Sequence, residues 1–138
     1  MAMVSRVNPQ QAYEKMSVDP KAVLLDVRTK IEFDYVGHPI GAVHLPWKEY
    51  PDLQVKTDFV SSVRALLQMR TATPIEQTPL FLLCRSGARS LAAAEELARH
   101  GFKEVYNIEE GFEGEKDANN HRSTTNGWRF RGLPWEQT

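Results

Sequence analysis

The chain contains a single cysteine, Cys84, followed at once by Arg85-Ser86-Gly87-Ala88-Arg89-Ser90. A cysteine acts as a nucleophile in its thiolate form, which positive charge and converging N–H donors favour. This run offers both. Its two arginines carry permanent charge and forked donors suited to a planar or tetrahedral oxyanion. No proline interrupts it, so every residue has an amide N–H. Gly87 and Ala88 let the backbone curl closely around one atom, a concavity of the kind that binds anions. A lone cysteine is more often plain packing, and either arginine alone would be an ordinary solvated side chain. Together they mark Cys84 as a nucleophile, with Arg85, Ser86, Gly87, Ala88, Arg89 and Ser90 as the residues that bind the substrate.

The flanking sequence predicts how this loop is held. Leu80-Phe81-Leu82-Leu83 is an apolar run of buried-strand type, and strong helix formers begin just past the loop. A helix is predicted from about Gly87 to His100, with Leu91, Ala94, Leu97 and Ala98 inward, a Glu95–Arg99 pair outward and Gly101 as its stop. Cys84 then sits where a strand ends and a helix begins, and the helix dipole favours negative charge there.

The remaining elements follow from pattern. Val4 to Val7 reads as a first strand. Asn8-Pro9-Gln10-Gln11 is a helix start, with Asn8 as cap, Pro9 at the first helical position and Gln11 closing a capping box. Ala12 and Met16 share a face, and Asp19-Pro20 ends the helix. Ala22 to Val27 is apolar apart from Asp26, as in strands covered on both faces. Thr29-Lys30-Ile31-Glu32 is a second capping box, predicting a short helix with Ile31 and Tyr35 on one face that ends near Gly37-His38-Pro39. Gly41 to Pro46 reads as a short strand and Trp47 to Val55 as irregular. An amphipathic helix capped by Thr57 or Asp58 carries Phe59, Val63, Leu66, Leu67 and Met69. Thr71 to Pro79 reads as a loop and Lys103 to Ile108 as a last strand. Strands alternating with helices predict a mainly parallel α/β sheet. In such sheets sites form outside the carboxyl ends of the strands. The segment 111–138 is polar and glycine-containing, and Phe112, Trp128, Phe130 and Trp135 are expected to pin it to the domain.

At 138 residues the chain suits one domain, 1–138, around one core. A formal net charge of -1 gives no global pull toward nucleic acid or anionic lipid. No apolar run approaches the roughly 20 residues of a membrane span, and the first residues lack a signal-peptide pattern. One cysteine excludes an internal disulfide and any multi-cysteine metal site. The expectation is a cytoplasmic protein without nucleic-acid or membrane partners.

The run from Cys84 to Ser90 resembles the active-site loop of rhodanese-domain sulfurtransferases. The same resemblance extends to Leu25-Asp26-Val27-Arg28, Glu32-Phe33, Gly37-His38-Pro39-Ile40-Gly41-Ala42 and Leu45-Pro46, and to Gly127-Trp128 with Gly132-Leu133-Pro134 near the end. These stretches stand in the family's order and cover most of the chain. The resemblance implies a rhodanese-like fold, a five-stranded parallel sheet with helices on both faces. It implies that Cys84 takes the outer sulfur of a donor such as thiosulfate as a persulfide. A thiophilic acceptor then removes that sulfur: cyanide, a small thiol or a protein. The loop amides would steady the thiolate and persulfide, Arg85 and Arg89 would hold the anionic donor, and no metal or organic cofactor is required.

Other positions carry expectations of their own. Asp26 and Arg28 stand at a strand end, where buried charges need partners, and are expected to give structural support by ordering neighbouring loops. Glu32 is accounted for as a helix cap, His38 as a turn residue, and Asp117 with His121 as a polar loop pair. Two other functions remain open. One is a persulfide-sensing or partner-binding module. The other is an enzyme like the cell-cycle tyrosine phosphatases or arsenate reductases, of similar fold. Four residues separate Cys84 from Arg89, where those phosphatases have five, and the smaller loop suits a sulfur centre better than phosphate.

Overall fold

The computed structural model describes residues 3–70 and 74–138. Its elements run β1 (Ser5–Val7), α1 (Pro9–Ser17), β2 (Val23–Asp26), a π-helical turn (Glu32–Val36), β3 (His38–Pro39), β4 (Val43–His44), β5 (Lys48–Glu49), β6 (Gln54–Val55), α2 (Phe59–Gln68), a 3₁₀ turn (Ile75–Gln77), β7 (Leu80–Leu83), α3 (Ala88–Arg99), β8 (Val105–Ile108) and β9 (Trp135–Glu136). Five strands form the central sheet in the order β1-β8-β7-β2-β4. Every neighbouring pair in it is parallel. β3 pairs with β9, and β5 with β6, as short antiparallel ribbons.

Successive side chains of a strand point to opposite faces, and here they divide the core in two. Val23, Leu25 and Val27 join Leu80, Leu82 and Cys84 on one face, packed against Phe59, Val63 and Leu67 of α2 and Ala93, Ala94 and Leu97 of α3. Leu24, Phe81, Leu83 and Ile108 face the other way, against Ala12 of α1 and Phe112, Trp128 and Leu133 of the last segment. Both faces of β2 and β7 are therefore covered, which explains why these strands read as apolar runs, broken only by Asp26 in β2. Each fully buried leucine contributes about 1.5–3 kcal/mol by leaving water.

The cap of α1 forms as the sequence predicts. The Asn8 side chain accepts the Gln11 amide at 2.8 Å and the Gln11 side chain accepts the Asn8 amide at 2.9 Å. Other expectations need correction. The Thr29–Glu32 box closes, but the turn after it winds wide as a π-helix, and Ile31 and Tyr35, expected on one face, are 56% and 73% exposed. Met69 lies just past the end of α2 and is exposed. Asp58 caps α2 without a side-chain bond. On α3 the outward ion pair is Arg99 with Glu96, at 3.0 Å, not with Glu95. Trp47, read as part of an irregular stretch, is buried with its ring edge-on to Phe59. In 111–138, Phe112 and Trp128 are buried while Phe130 and Trp135 are substantially exposed, and Trp135 adds a strand. Part of the predicted 71–79 loop, residues 71–73, lies outside the described residues.

The register places Asp26 beside Leu83, so the carboxyl ends of β2 and β7 are neighbours. Arg28, two residues past that end, is fully buried. Its Nε and one terminal nitrogen donate to the two Asp26 carboxylate oxygens at 2.9 and 2.6 Å, and the same terminal nitrogen donates to the Gly37 carbonyl at 2.6 Å. Its guanidinium lies 4.6 Å from the centre of the Phe112 ring. One group thus ties the end of β2 to the turn at Gly37 and to the last segment. Breaking a buried pair leaves an uncompensated charge. Asp26→Asn is expected to lower the free energy of unfolding by about 3–5 kcal/mol in urea denaturation. A loss below about 1 kcal/mol would mean that the carboxylate charge does not matter to the fold.

Candidate functional site

β7 delivers Cys84 to the rim of the sheet, and the chain must reverse within a few residues to enter α3. Gly87 makes this possible: its φ of +114° is left-handed backbone, accessible at little cost only to glycine. The Gly87 amide then points back at Cys84 and donates to Sγ at 3.1 Å. Ser90, buried in the first turn of α3, places its hydroxyl 3.3 Å from the same sulfur. The amides of Ala88, Arg89 and Ser90 open the helix and have no helical carbonyl to bind. The sulfur sits against the positive end of α3 with an amide donating to it and a hydroxyl within reach.

The carbonyls at the start of the loop, beyond the end of β7, also need donors. The Cys84 carbonyl accepts the Phe112 amide at 2.8 Å, and the Arg85 carbonyl accepts those of Glu113 and Gly114 at 3.0 and 3.2 Å. Close approach of the two backbones requires Gly111, where a Cβ would stand 2.5 Å from the Cys84 carbonyl oxygen.

The two arginines differ. Arg85 is exposed and has no ion pair among the described residues. Both terminal nitrogens of Arg89 donate to the two oxygens of Glu32, each at 2.8 Å. Glu32 also receives the hydroxyl and amide of Thr29, at 2.9 and 3.2 Å. The helix-cap role read for Glu32 is therefore half of what it does, and its larger partner lies 57 residues away in sequence. A cleft of about 560 Å³ opens beside the pair, lined by Arg85, Arg89, Lys48, Ile31, Tyr50 and Leu53 among others. Cys84 is buried and does not line it.

Behind Ser90 stands Asn107, on the adjoining strand β8. Its Oδ1 is 2.5 Å from the Ser90 hydroxyl oxygen, and its Nδ2 donates to the Gly87 carbonyl at 3.2 Å. Nothing in the loop motif points to it. The available signal is an amide at an inward position of the otherwise apolar run ending in Ile108. His38 is buried beneath a stacked Phe33 ring, with Nδ1 2.8 Å from the Phe33 carbonyl. The Asp117 carboxylate accepts the amides of Asn119 and His121 and the Thr124 hydroxyl, so that the polar pair shapes its own loop.

Burial pushes the Glu32 carboxyl upward, but the hydrogen bonds and charge of Arg89 and the bonds from Thr29 outweigh it and bring the group down to about 2. A carboxyl with a lowered value in the folded state stabilises above the ordinary value of 4.5, and that stabilisation disappears as pH falls toward about 2. Parent and Glu32→Gln should therefore differ in unfolding free energy by up to about 3 kcal/mol at neutral pH. The gap should close between pH 4.5 and about 2. Chemical denaturation across that range checks it, and a pH-independent gap would discount the ion pair.

Comparison with known proteins agrees with this geometry. The family described as rhodanese-like domain matches residues 8–118. An uncharacterized protein of Rickettsia prowazekii, RP600, is 35% identical over 137 residues, covering 97% of this chain and 98% of that protein. The thiosulfate sulfurtransferase GlpE of Haemophilus influenzae is 31% identical over 108 residues, 78% of this chain and 84% of the enzyme. The crystal structure of Rv0390 from M. tuberculosis superimposes with a TM-score of 0.84 at 36% identity, covering 99% of this chain and all of that one. The parallel sheet, the cysteine at the end of β7 and these matches place the chain in the family of rhodanese-like domains.

Proposed function

We propose that the protein is a sulfurtransferase that carries sulfane sulfur on Cys84. The observation that carries this reading is the pair of donors, Gly87 N–H and Ser90 Oγ–H, within reach of one sulfur at the head of α3. The Cys84 thiolate attacks the outer sulfur of thiosulfate, the S–S bond breaks, and sulfite leaves with the electron pair. The resulting persulfide is attacked at its outer sulfur by cyanide or a thiolate, which departs with that sulfur and returns the thiolate. Two easy displacements replace one hard transfer. The Gly87 amide, already aimed at the sulfur, and the Ser90 hydroxyl, within reach of it, stabilise sulfur charge in both.

The arrangement divides the work of the arginines. Glu32 occupies both terminal nitrogens of Arg89, so Arg89 shapes the loop and moderates its potential. The exposed Arg85, with Lys48 across the cleft, is then the group that holds the anionic part of the donor.

Treatment with thiosulfate should raise the intact mass of the protein by one sulfur atom, and cyanide should remove it. Cys84→Ser should show no gain. A protein that never gains sulfur, or that hydrolyses an aryl phosphate in a Cys84-dependent way, would overturn the reading in favour of a binding module or a phosphatase. Arg85→Ala should lower kcat/KM for thiosulfate by about tenfold or more, the worth of one charged hydrogen bond, while alkylation of Cys84 stays near the parent rate. Unchanged kinetics would remove Arg85 from the site.

A further inference from the structure

The Ser90 hydroxyl has one proton and three acceptors within reach: Asn107 Oδ1 at 2.5 Å, the Gly87 carbonyl at 3.2 Å and Cys84 Sγ at 3.3 Å. A hydroxyl donates once. The shortest of the three contacts is with Asn107, which is itself buried. The orientation of that amide is fixed by its other end. Nδ2 donates to the Gly87 carbonyl, and a flipped amide would set oxygen against oxygen there. Oδ1 therefore faces Ser90 and competes with the sulfur for its proton. With Cys84 as a neutral thiol, every group in the line is satisfied: S–H donates to Ser90 Oγ, the Ser90 hydroxyl donates to Asn107, and Asn107 donates to Gly87. Once the thiol loses its proton, the Ser90 hydroxyl can serve the sulfur only by turning away from Asn107, leaving a buried carbonyl oxygen without that donor.

We propose that Asn107 is a positioning residue that sets the proton affinity of Cys84 through Ser90, by drawing the Ser90 hydroxyl proton away from the sulfur. Asn107 favours the protonated thiol, and the hydroxyl is released to the sulfur when negative charge appears there. This concerns the thiol itself and does not depend on which molecule delivers or accepts sulfur.

The experiment is a double-mutant cycle read by the pH profile of alkylation. Cys84 is the only cysteine, so uptake of iodoacetamide reports on it alone. Charged groups around the loop come from several elements: Arg85 and Arg89 from the loop and α3, Asp26 and Arg28 from the end of β2, and Glu32 from the π-helical turn. None is altered in the cycle, so their effects cancel. Asn107→Ala, and the nearly isosteric Asn107→Leu in case the smaller residue does not fold, should lower the alkylation midpoint by about half a pH unit, or threefold in proton affinity. In a Ser90→Ala background the same substitutions should leave the midpoint where Ser90→Ala alone puts it, and Ser90→Thr should restore the coupling. Loss of the Asn107 bond to Gly87 is common to both backgrounds and drops out. An equal shift in the two backgrounds, or none with Ser90 present, would overturn the proposal.

Discussion

The structure depends on one backbone constraint. A chain that reverses sharply at the end of a buried strand leaves carbonyls that no ladder pairs, and buried carbonyls need donors. The chain answers with residues 112–114, whose amides hold the Cys84 and Arg85 carbonyls. Much of the last segment supports that answer. Trp128 and Arg129 donate their amides to the Gly111 and Phe112 carbonyls. Phe112 lies between the Arg28 and Arg129 guanidinium groups, at 4.6 and 5.5 Å from its centre. Arg129 also donates to the Val36 carbonyl, bringing in the turn that carries Glu32. The active loop is thus braced from behind by the last segment and from the side by the end of β2.

Electrostatics follows the same economy. Asp26 neutralises Arg28 within the protein, and Glu32 neutralises Arg89 at the edge of the cleft. These two cations and two anions are matched with each other, which leaves Arg85 as the loop's cation without an ion pair among the described residues. The cleft beside the loop thus keeps Arg85 and Lys48 as its cations without an ion pair among the described residues.

Much of this was legible in the sequence, and the exceptions share a cause. β2, β7 and β8, the cap at Asn8 and the loop at Cys84 are encoded by neighbours a few residues apart, so periodicity and composition reveal them. Glu32 is half legible: its bond to Thr29 is local and its bond to Arg89 is not. Asn107 is hidden because its partners, Ser90 and Gly87, reach it only across the parallel pairing of β7 with β8. The shared face read for Ile31 and Tyr35 rests on α-helical spacing, which the π-helical turn does not keep. Arg28 and Arg129 donate to the Gly37 and Val36 carbonyls at the end of that turn, contacts that local spacing does not show either. Met69 misleads because the helix stops one residue short of it.

The parallel pairing also bears on how the thiol acquires its character. Glu32, Asn107 and Phe112 lie far from Cys84 along the chain or on other strands, and parallel sheets close through long loops that form slowly. In the unfolded chain Cys84 is flanked only by its sequence neighbours and is an ordinary thiol. Its partners beyond Gly87 and Ser90 arrive with the sheet, so the surroundings of this cysteine are a property of the assembled topology. An oxidant that meets the chain before closure meets a solvated thiol, whereas in the finished protein Cys84 is buried.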